Sequence, residues 1–252
     1  WARDMKYKYG AKDPRSLTLR FHTQTAGCSL TAQQPEINIV RVAIQAMAGV
    51  LGGTQSLHTD SMDEALALPS EKAVQIALRT QQIIAHESGV ANVADPLGGS
   101  YYLEWLTDDM ERQARDYFDR IESLGGVVSA IEKGFFQKEI AAASYKYQQE
   151  IDNNERTVVG VNEFTSEEPV EIPILEMDPE GFERQCRRLK NLRSNRDKSR
   201  HSASLVAIEK AAEGEENLMP HFIEAAKAKA TLGEMCDVLR GVFGEYREGS
   251  DF

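Results

Sequence analysis

The sequence contains few cysteines and no long hydrophobic run. Its three cysteines, Cys28, Cys186 and Cys236, are widely separated among 252 residues, which provides neither a disulfide framework nor the paired spacing of a zinc site. No apolar run approaches the ~20 residues of a membrane span, and the first residues do not resemble a signal peptide. We therefore expect a globular protein of a reducing compartment, the cytoplasm or an organelle matrix, without a membrane partner.

Positive charge is also scarce. The chain carries 29 Lys and Arg against 40 Asp and Glu, which gives a net charge of −11. Because phosphate binding needs a basic face, this balance argues against nucleic acid or an anionic membrane as the main partner. An initiator methionine is missing too, so we expect a fragment, a processed chain or the ordered part of a longer protein.

An extended run followed by polar side chains occurs twice near the start of the chain. Residues 16–21 precede the polar cluster 22–27, and residues 54–57 precede the polar residues 58–64. The segment between them, residues 35–51, begins with a proline and repeats apolar side chains at helical spacing: Ile37, Val40, Ile44, Met47 and Leu51. This order predicts a parallel barrel or a doubly wound sheet, whose chemistry lies at the carboxyl ends of its strands.

The remaining sequence is mainly helical in its patterning. Thr231 and Glu234 form a capping-box pattern before the last helix. We expect a loop through Gly214, a short strand or extended segment at residues 157–161 and an acidic linker at residues 163–171. The predicted helices are residues 1–12, 70–88, 107–124, 127–151 with a break near Gly134, and further helices from 178, from 218 and from 232 to Gly244.

Several long motifs resemble one enzyme family. They are RFHTQTAG at residues 20–27, LTAQQP at 30–35, GGTQSLHT at 52–59, DEALALP at 63–69 and DPLGGSYY at 95–102. Together they resemble the large catalytic subunit of the adenosylcobalamin-dependent acyl-CoA mutases, of the methylmalonyl-CoA mutase type. The similarity continues to the C-terminus, and contiguous motifs of this length are far more specific than a lone glycine motif.

The resemblance implies an α/β fold, the C-terminal portion of a (β/α)8 TIM barrel followed by a mainly helical extension. Residues 1–94 would form the last two strand–helix units, residues 95–177 a helical segment with the acidic linker, and residues 178–252 a helical C-terminal extension. A complete barrel takes about 250 residues, whereas only two strand–helix units are evident here. The earlier strands would therefore lie upstream of Trp1.

The resemblance also implies a reaction, a radical 1,2-rearrangement of the carbon skeleton of an acyl-CoA, with adenosylcobalamin as cofactor. The residues of this chain would place the cofactor and exclude water, so we expect neither a catalytic residue nor a metal ligand among them. The expected partners are the acyl-CoA, other subunits of an oligomer, and a cobalamin-binding domain or small subunit, because the sequence has no Asp-x-His-x-x-Gly motif. In that family the residues that contact the acyl group come mainly from earlier strands, so the resemblance implies methylmalonyl-CoA or a related acyl-CoA as substrate.

Five residues match positions that bind the cofactor in that family. Gln24 and Gly27 resemble corrin contacts, since an amide can bond corrin amides and glycine permits close approach. Glu64 resembles the carboxylate that binds the ribose hydroxyls of the adenosyl group. Ala67, one turn later, resembles a residue that packs against the cofactor. Asp60 stands where the family usually has asparagine, and a second acid beside Glu64 would add negative charge or raise one pKa. Without the resemblance, the simpler interpretation is that residues 24–27 form a polar loop. Glu64 would then lie in the first turn of a helix and interact favourably with the helix dipole.

Two other functions remain open. The segment could be a non-catalytic assembly or docking module for a cobalamin-binding subunit, through the helical tail from Asp178. Alternatively, His22 and His58 follow equivalent predicted strands and could join Glu64 in a metal-dependent barrel hydrolase, although histidines satisfied by backbone groups are the simpler interpretation. Arg41 is expected to tether a loop.

Overall fold

The computed structural model describes residues 1–167 and 172–247. The last four residues of the predicted acidic linker, 168–171, and the last five of the C-terminal extension lie outside the described residues. The chain divides into two compact units, Trp1–Leu175 and Glu176–Phe252. The division into three segments at residues 94 and 177 stays a prediction.

The first unit contains a two-stranded parallel sheet. Strand β1 is His22–Gln24 and strand β2 is Ser56–His58, with His22 opposite Ser56 and Gln24 opposite His58. Helix α1, Asn38–Leu51, connects them, and it follows a 3-10 turn that begins at Pro35. The strand–helix–strand order is therefore as predicted, within a mostly helical α/β fold.

The predicted position of the first strand is wrong. Pro14–Leu17 is a 3-10 helix, because the Asp13 side chain accepts a hydrogen bond from the Arg15 backbone N–H at 2.9 Å and proline fixes a helical φ. β1 therefore begins at His22, a residue that was expected to follow the strand. β2 likewise starts two residues later than expected and ends on His58, so the two histidines do not occupy equivalent positions.

Helices α2 to α5 complete the regular structure described for the first unit. Ser70 caps α2 as predicted, and Gly134, at φ +65°, separates α4 from α5. The helix expected from residue 107 begins at Tyr101, because Ser100 is an extended N-cap and Glu104 accepts a hydrogen bond from the Gly99 N–H at 3.0 Å. The helix expected at residues 1–12 is one turn, Asp4–Lys8. The bounds are α2 Glu71–Glu87, α3 Tyr101–Ser123, α4 Val127–Glu132 and α5 Phe135–Asp152.

The packed face of α1 differs from the predicted one. Val42 and Ala46 are buried, whereas Val40 and Ile44 are 57% and 67% exposed. The helix is apolar on most sides, so spacing alone does not select a face. The buried Asn38 fixes its rotation by bonding to backbone groups at Thr31 and Met62.

The second unit contains four helices within the described range. The segment expected to be a loop before Gly214 is largely helix α7, which the Asp197 side chain caps by accepting from the Arg200 N–H at 3.0 Å. Its apolar residues do not form one stripe, which is why periodicity missed it. The core of the unit includes Ile208 and Ala225. The bounds are α6 Gly181–Asn195, α7 Lys198–Ala212, α8 Leu218–Lys227 and α9 Leu232–Phe243.

Glu234, in the first turn of α9, connects two parts of the second unit through hydrogen bonds. It forms the predicted capping box with Thr231, and it accepts two hydrogen bonds of 2.7 Å from the Arg196 guanidinium. The side chains of Arg196 and Glu234 are only 11% and 20% exposed. The Arg196 guanidinium and the Thr231 donors, opposed by partial burial, hold the pKa of Glu234 well below its usual range.

No helix within residues 1–167 or 172–247 is long and apolar enough to cross a membrane.

Replacing Glu234 with glutamine should lower the free energy of unfolding by about 2 kcal/mol, because it leaves a mostly buried guanidinium without its carboxylate. The pKa of Glu234 is lower in the folded state, so this stabilisation is full above the unfolded pKa and disappears as the pH falls through the folded one. Urea unfolding at neutral and acidic pH measures both effects. The matched control is Glu224→Gln, whose pairs with Arg200 and Lys227 are exposed; an equal loss in both variants would contradict the assignment.

Candidate functional site

The candidate site lies at the carboxyl ends of β1 and β2, where the two strands are joined. The Thr25 N–H donates to the His58 carbonyl at 3.2 Å, and the Asp60 N–H donates to the Thr25 hydroxyl at 2.9 Å. Thr25, Thr59 and Asp60 are buried there. Because the strands are parallel and adjacent, the side chains after each strand meet at one edge.

Asp60 is the buried acid of this edge. It is 2% exposed, and its Oδ1 accepts a hydrogen bond of 3.1 Å from Gln24 Nε2. The His58 Nε2 atom lies 3.5 Å from the same oxygen. Asp60 Oδ2 is buried and receives no hydrogen bond from the residues that the structure describes. One carboxylate oxygen is thus held by the two strands and the other is available.

Glu64 lies beside Asp60 but is exposed to solvent. Partial burial and the negative charge of Asp60 raise the pKa of Glu64, while His58 opposes them. Glu64 sits in a turn that ends well before α2 begins at Glu71, so the interpretation as a first-turn helix glutamate is wrong. The sequence indicated that a second acid at position 60 would raise one pKa, and the charge of Asp60 does raise the pKa of Glu64.

Gly27 faces the two acids. A Cβ atom added to it would lie 3.1 Å from Glu64 Oε1 and 3.8 Å from Asp60 Oδ2. Gln24, Gly27, Asp60 and Glu64 are therefore brought together, although they come from two separate segments. Ala67 is half-buried at the end of the Glu64 turn, where its N–H donates to the Asp63 carbonyl at 3.0 Å.

A buried asparagine supports the loop that carries the acids. Asn38 is fully buried, and its Nδ2 donates 2.9 Å hydrogen bonds to the carbonyls of Thr31 and Met62. Its Oδ1 accepts from the Thr31 N–H and from Arg41. The first residue of α1 thus holds the segment after β2. This role was not predicted, and the signal for it in the sequence is a polar residue at the start of an apolar helix.

Arg41 tethers a loop, as expected. Its Nη2 donates to the Val159 carbonyl at 2.6 Å. Gln34 adds a second anchor to the same region through a 2.9 Å hydrogen bond to the Phe164 carbonyl. The segment that was expected to be extended near residues 157–161 forms a single bridge between Val159 and Glu163.

A cavity of about 230 Å³ opens beside Glu64. Its polar wall includes His58, Thr59 and Ser61, and its apolar wall includes Val74 and Leu78 of α2. These two α2 residues are 48% and 50% exposed, because they line the cavity instead of packing in the core. Such a pocket suits a ligand with hydroxyl groups on one side and an apolar ring on the other.

The histidines do not form the proposed hydrolase centre. His22 Nδ1 shares a 2.7 Å hydrogen bond with Ser56 Oγ at the start of β1, whereas His58 contacts Asp60 at the other end of the sheet. In the two described ranges, no group of three or more His, Cys, Asp or Glu side chains could hold a metal ion. The hydrolase alternative gains no support from this arrangement.

Comparisons with known proteins identify a family. A family model described as methylmalonyl-CoA mutase matches residues 1–245. The chain is 46% identical over 250 residues to the 2-hydroxyisobutanoyl-CoA mutase large subunit of Aquincola tertiaricarbonis, which covers 98% of this chain and 44% of that protein. It is 44% identical over 239 residues to methylmalonyl-CoA mutase of Escherichia coli, covering 94% and 34%.

The human mitochondrial methylmalonyl-CoA mutase is 43% identical over 249 residues, covering 98% of this chain and 33% of that protein. The chain therefore spans less than half the length of each of these relatives.

Replacing Asn38 with alanine should destabilise the chain by about 3 kcal/mol, because backbone groups at Thr31 and Met62 lose their partners inside the protein. Urea unfolding measures the change. Asn153→Ala is the control, since Asn153 is exposed at the end of α5, and it should leave the stability unchanged. A stable Asn38→Ala variant would show that the loop after β2 does not depend on this side chain.

Proposed function

This chain belongs to the methylmalonyl-CoA mutase family, and we propose that it forms part of an adenosylcobalamin-dependent mutase that rearranges the carbon skeleton of an acyl-CoA. The observation that carries the proposal is the meeting of Gln24, Gly27, Asp60 and Glu64 at one edge of the parallel sheet. These residues lie in the motifs that resemble the cofactor-binding segments of the family. The named relatives, which are mutases of acyl-CoA compounds, support the reaction class.

We propose further that β1, α1 and β2 belong to the last two strand–helix units of a (β/α)8 barrel. Parallel strands joined through a helix are the repeating element of that fold. The exposed Val40 and Ile44 on α1 support this, because a helix that packs on further barrel elements needs an apolar outer face. The earlier strands would come from sequence that the relatives contain and this chain does not.

The residues at the sheet edge fit adenosylcobalamin. A buried carboxylate oxygen on Asp60 has no donor among the described residues, the missing Cβ of Gly27 leaves space in front of the acids, and Glu64 and Gln24 present exposed polar groups. Glu64 would accept hydrogen bonds from the ribose hydroxyls, Gln24 and Gly27 would contact the corrin, and Ala67 would provide an apolar contact.

The side chains of this chain bind and shield instead of reacting. The cofactor, when bound, supplies the radical chemistry of the rearrangement. Glu64 would orient the adenosyl group through its carboxyl group. Hydrogen bonds at the ends of β1 and β2 hold Asp60 next to Glu64. Val74, Ala77 and Leu78 form the apolar wall that excludes water from the cavity.

The proposal includes partners that this chain does not contain. The substrate is an acyl-CoA, and the methylmalonyl-CoA and 2-hydroxyisobutanoyl-CoA types are both represented among the relatives. A relative named as a large subunit supports a cobalamin-binding small subunit or domain as partner, within an oligomer. The three free cysteines are consistent with a cytoplasmic setting.

A second candidate role is docking of a partner subunit through the second unit. Residues 184–200 carry eight Lys and Arg and one Asp in a chain of net charge −11. Four of the cations form ion pairs within the unit. The other four, Arg187, Arg188, Lys190 and Lys198, have no ion pair among the residues that the structure describes. This basic segment favours a partner with an acidic face.

The reaction is tested with the full-length protein, its cobalamin-binding partner and adenosylcobalamin. Methylmalonyl-CoA and 2-hydroxyisobutanoyl-CoA are supplied separately, and the rearranged products are measured by mass spectrometry. We expect one of them to be rearranged. Tight adenosylcobalamin binding without conversion of either compound would favour the docking role over the enzymatic one.

Glu64→Ala in the assembled protein should weaken adenosylcobalamin binding by about tenfold, because a ribose hydroxyl loses its carboxyl acceptor. Binding of hydroxocobalamin, which lacks the adenosyl group, should not change. Equilibrium dialysis with each cobalamin measures both affinities. Glu71→Ala, at an exposed glutamate in the first turn of α2, is the control. Equal losses for the two cobalamins would exclude the ribose contact.

Gly27→Ala should weaken binding of both cobalamins by roughly tenfold, since the added Cβ occupies the space beside Glu64. The backbone of Gly27 has an ordinary φ, so the fold should tolerate alanine. Gly241→Ala, where the new Cβ would meet no atom within 4 Å, is the matched control. Unchanged cobalamin affinity in Gly27→Ala would contradict the corrin contact.

A further inference from the structure

The carboxyl group of Asp60 has an oxygen to which the proposed function assigns no hydrogen-bond partner. The side chain has no exposed surface. Its Oδ1 is held by Gln24 from β1 and faces His58 from β2. Its Oδ2 is equally buried and has no donor among the described residues. A buried carboxylate oxygen without a donor is costly, so this atom needs a proton-bearing partner.

The neighbour of that oxygen is the carboxyl group of Glu64. Both carboxyl groups face Gly27, where an added Cβ atom would lie 3.1 Å from Glu64 Oε1 and 3.8 Å from Asp60 Oδ2, and burial together with the negative charge of Asp60 raises the pKa of Glu64. A hydrogen bond between two carboxyl groups requires that one of them carry a proton. Two ionised carboxylates in the same position would repel each other and leave Asp60 Oδ2 without a donor.

We propose that Asp60 and Glu64 hold a single proton between them, and that an adenosyl ligand binds this singly protonated pair. The ligand in this inference rests on the proposed function, whereas the shared proton rests on the buried Oδ2 of Asp60 and on the two carboxyl groups that meet beside Gly27. Asp60 is then a positioning residue. The proton fixes one oxygen of Glu64 against Asp60 Oδ2 and leaves the other oxygen free to accept a hydroxyl hydrogen bond.

Binding should be linked to the uptake of a proton. Glu64 is exposed in the free protein, and a ligand that covers it removes water and disfavours a second negative charge. The pair therefore keeps its proton in the complex at a pH where the free protein has lost it. Adenosylcobalamin affinity should fall by up to about tenfold per pH unit above the titration of the free pair.

Asp63 and His58 are two further titratable side chains close to the pair. Asp63 belongs to the same turn, and although burial raises its pKa, hydrogen bonds from Ser61 and Ser70 outweigh that effect and lower it, so it stays ionised. The Nε2 atom of His58 lies 3.5 Å from Asp60 Oδ1, and an imidazole can also bind a proton. His58 is thus the alternative source of a pH dependence, and it needs its own control.

Calorimetry of the full-length assembled enzyme tests the proposal. Titrations in two buffers of different ionisation enthalpy, at a pH above the pair's titration, give the number of protons bound with each ligand. We expect adenosylcobalamin to take up close to one proton and hydroxocobalamin to take up none. Asp60→Asn should bind adenosylcobalamin without uptake, because its amide donates to an ionised Glu64, and His58→Gln should keep the uptake.

Proton release, or equal uptake in the wild type and Asp60→Asn, would overturn the inference. A second measurement needs no ligand and separates it from the proposed function. The Glu64 carboxyl carbon, followed by NMR, should titrate above the ordinary range in the wild type and return towards it in Asp60→Asn. Equal titration in both proteins would exclude the shared proton even if adenosylcobalamin binds. If adenosylcobalamin fails to bind but the NMR difference is present, the shared proton stands and only the identity of the ligand is overturned.

Discussion

The hydrogen bonds that join the ends of β1 and β2 are the constraint on which the site depends. The Asp60 N–H reaches the Thr25 hydroxyl, and the Thr25 N–H reaches the His58 carbonyl. They set the position of the chain after β2 relative to the chain after β1. Asn38 holds the same loop by donating a hydrogen bond to the Met62 carbonyl. Gln24, Gly27, Asp60 and Glu64 share one place only because these backbone contacts are made.

Much of the site could be predicted from the sequence. Two strands joined by a helix must be parallel if they pair, and the polar residues that follow parallel strands meet at one edge. That argument places Gln24 near Asp60 without coordinates. Local chemistry was equally predictable where one residue decides it, as at the Thr231 capping box and the break at Gly134.

The predictions that were wrong concern features of the fold that tertiary contacts determine. β1 begins at His22, where the pairing with Ser56 of β2 starts, and the run expected to form the strand overlaps the 3-10 helix Pro14–Leu17. The rotation of α1 follows from the hydrogen bonds of Asn38, because a helix that is apolar on most sides has no unique inner face. The burial of Asp60 also depends on the fold, so the available Oδ2 atom could not be seen in the sequence.

The central claim is that the exposed carboxyl group of Glu64, backed by a buried Asp60, receives the ribose of adenosylcobalamin at the end of the sheet. A crystal structure of the full-length protein with its cobalamin partner and this cofactor tests it most directly. We predict a ribose hydroxyl within hydrogen-bonding distance, about 3 Å, of a Glu64 oxygen. A ribose bound elsewhere, with Glu64 facing solvent, would contradict the account.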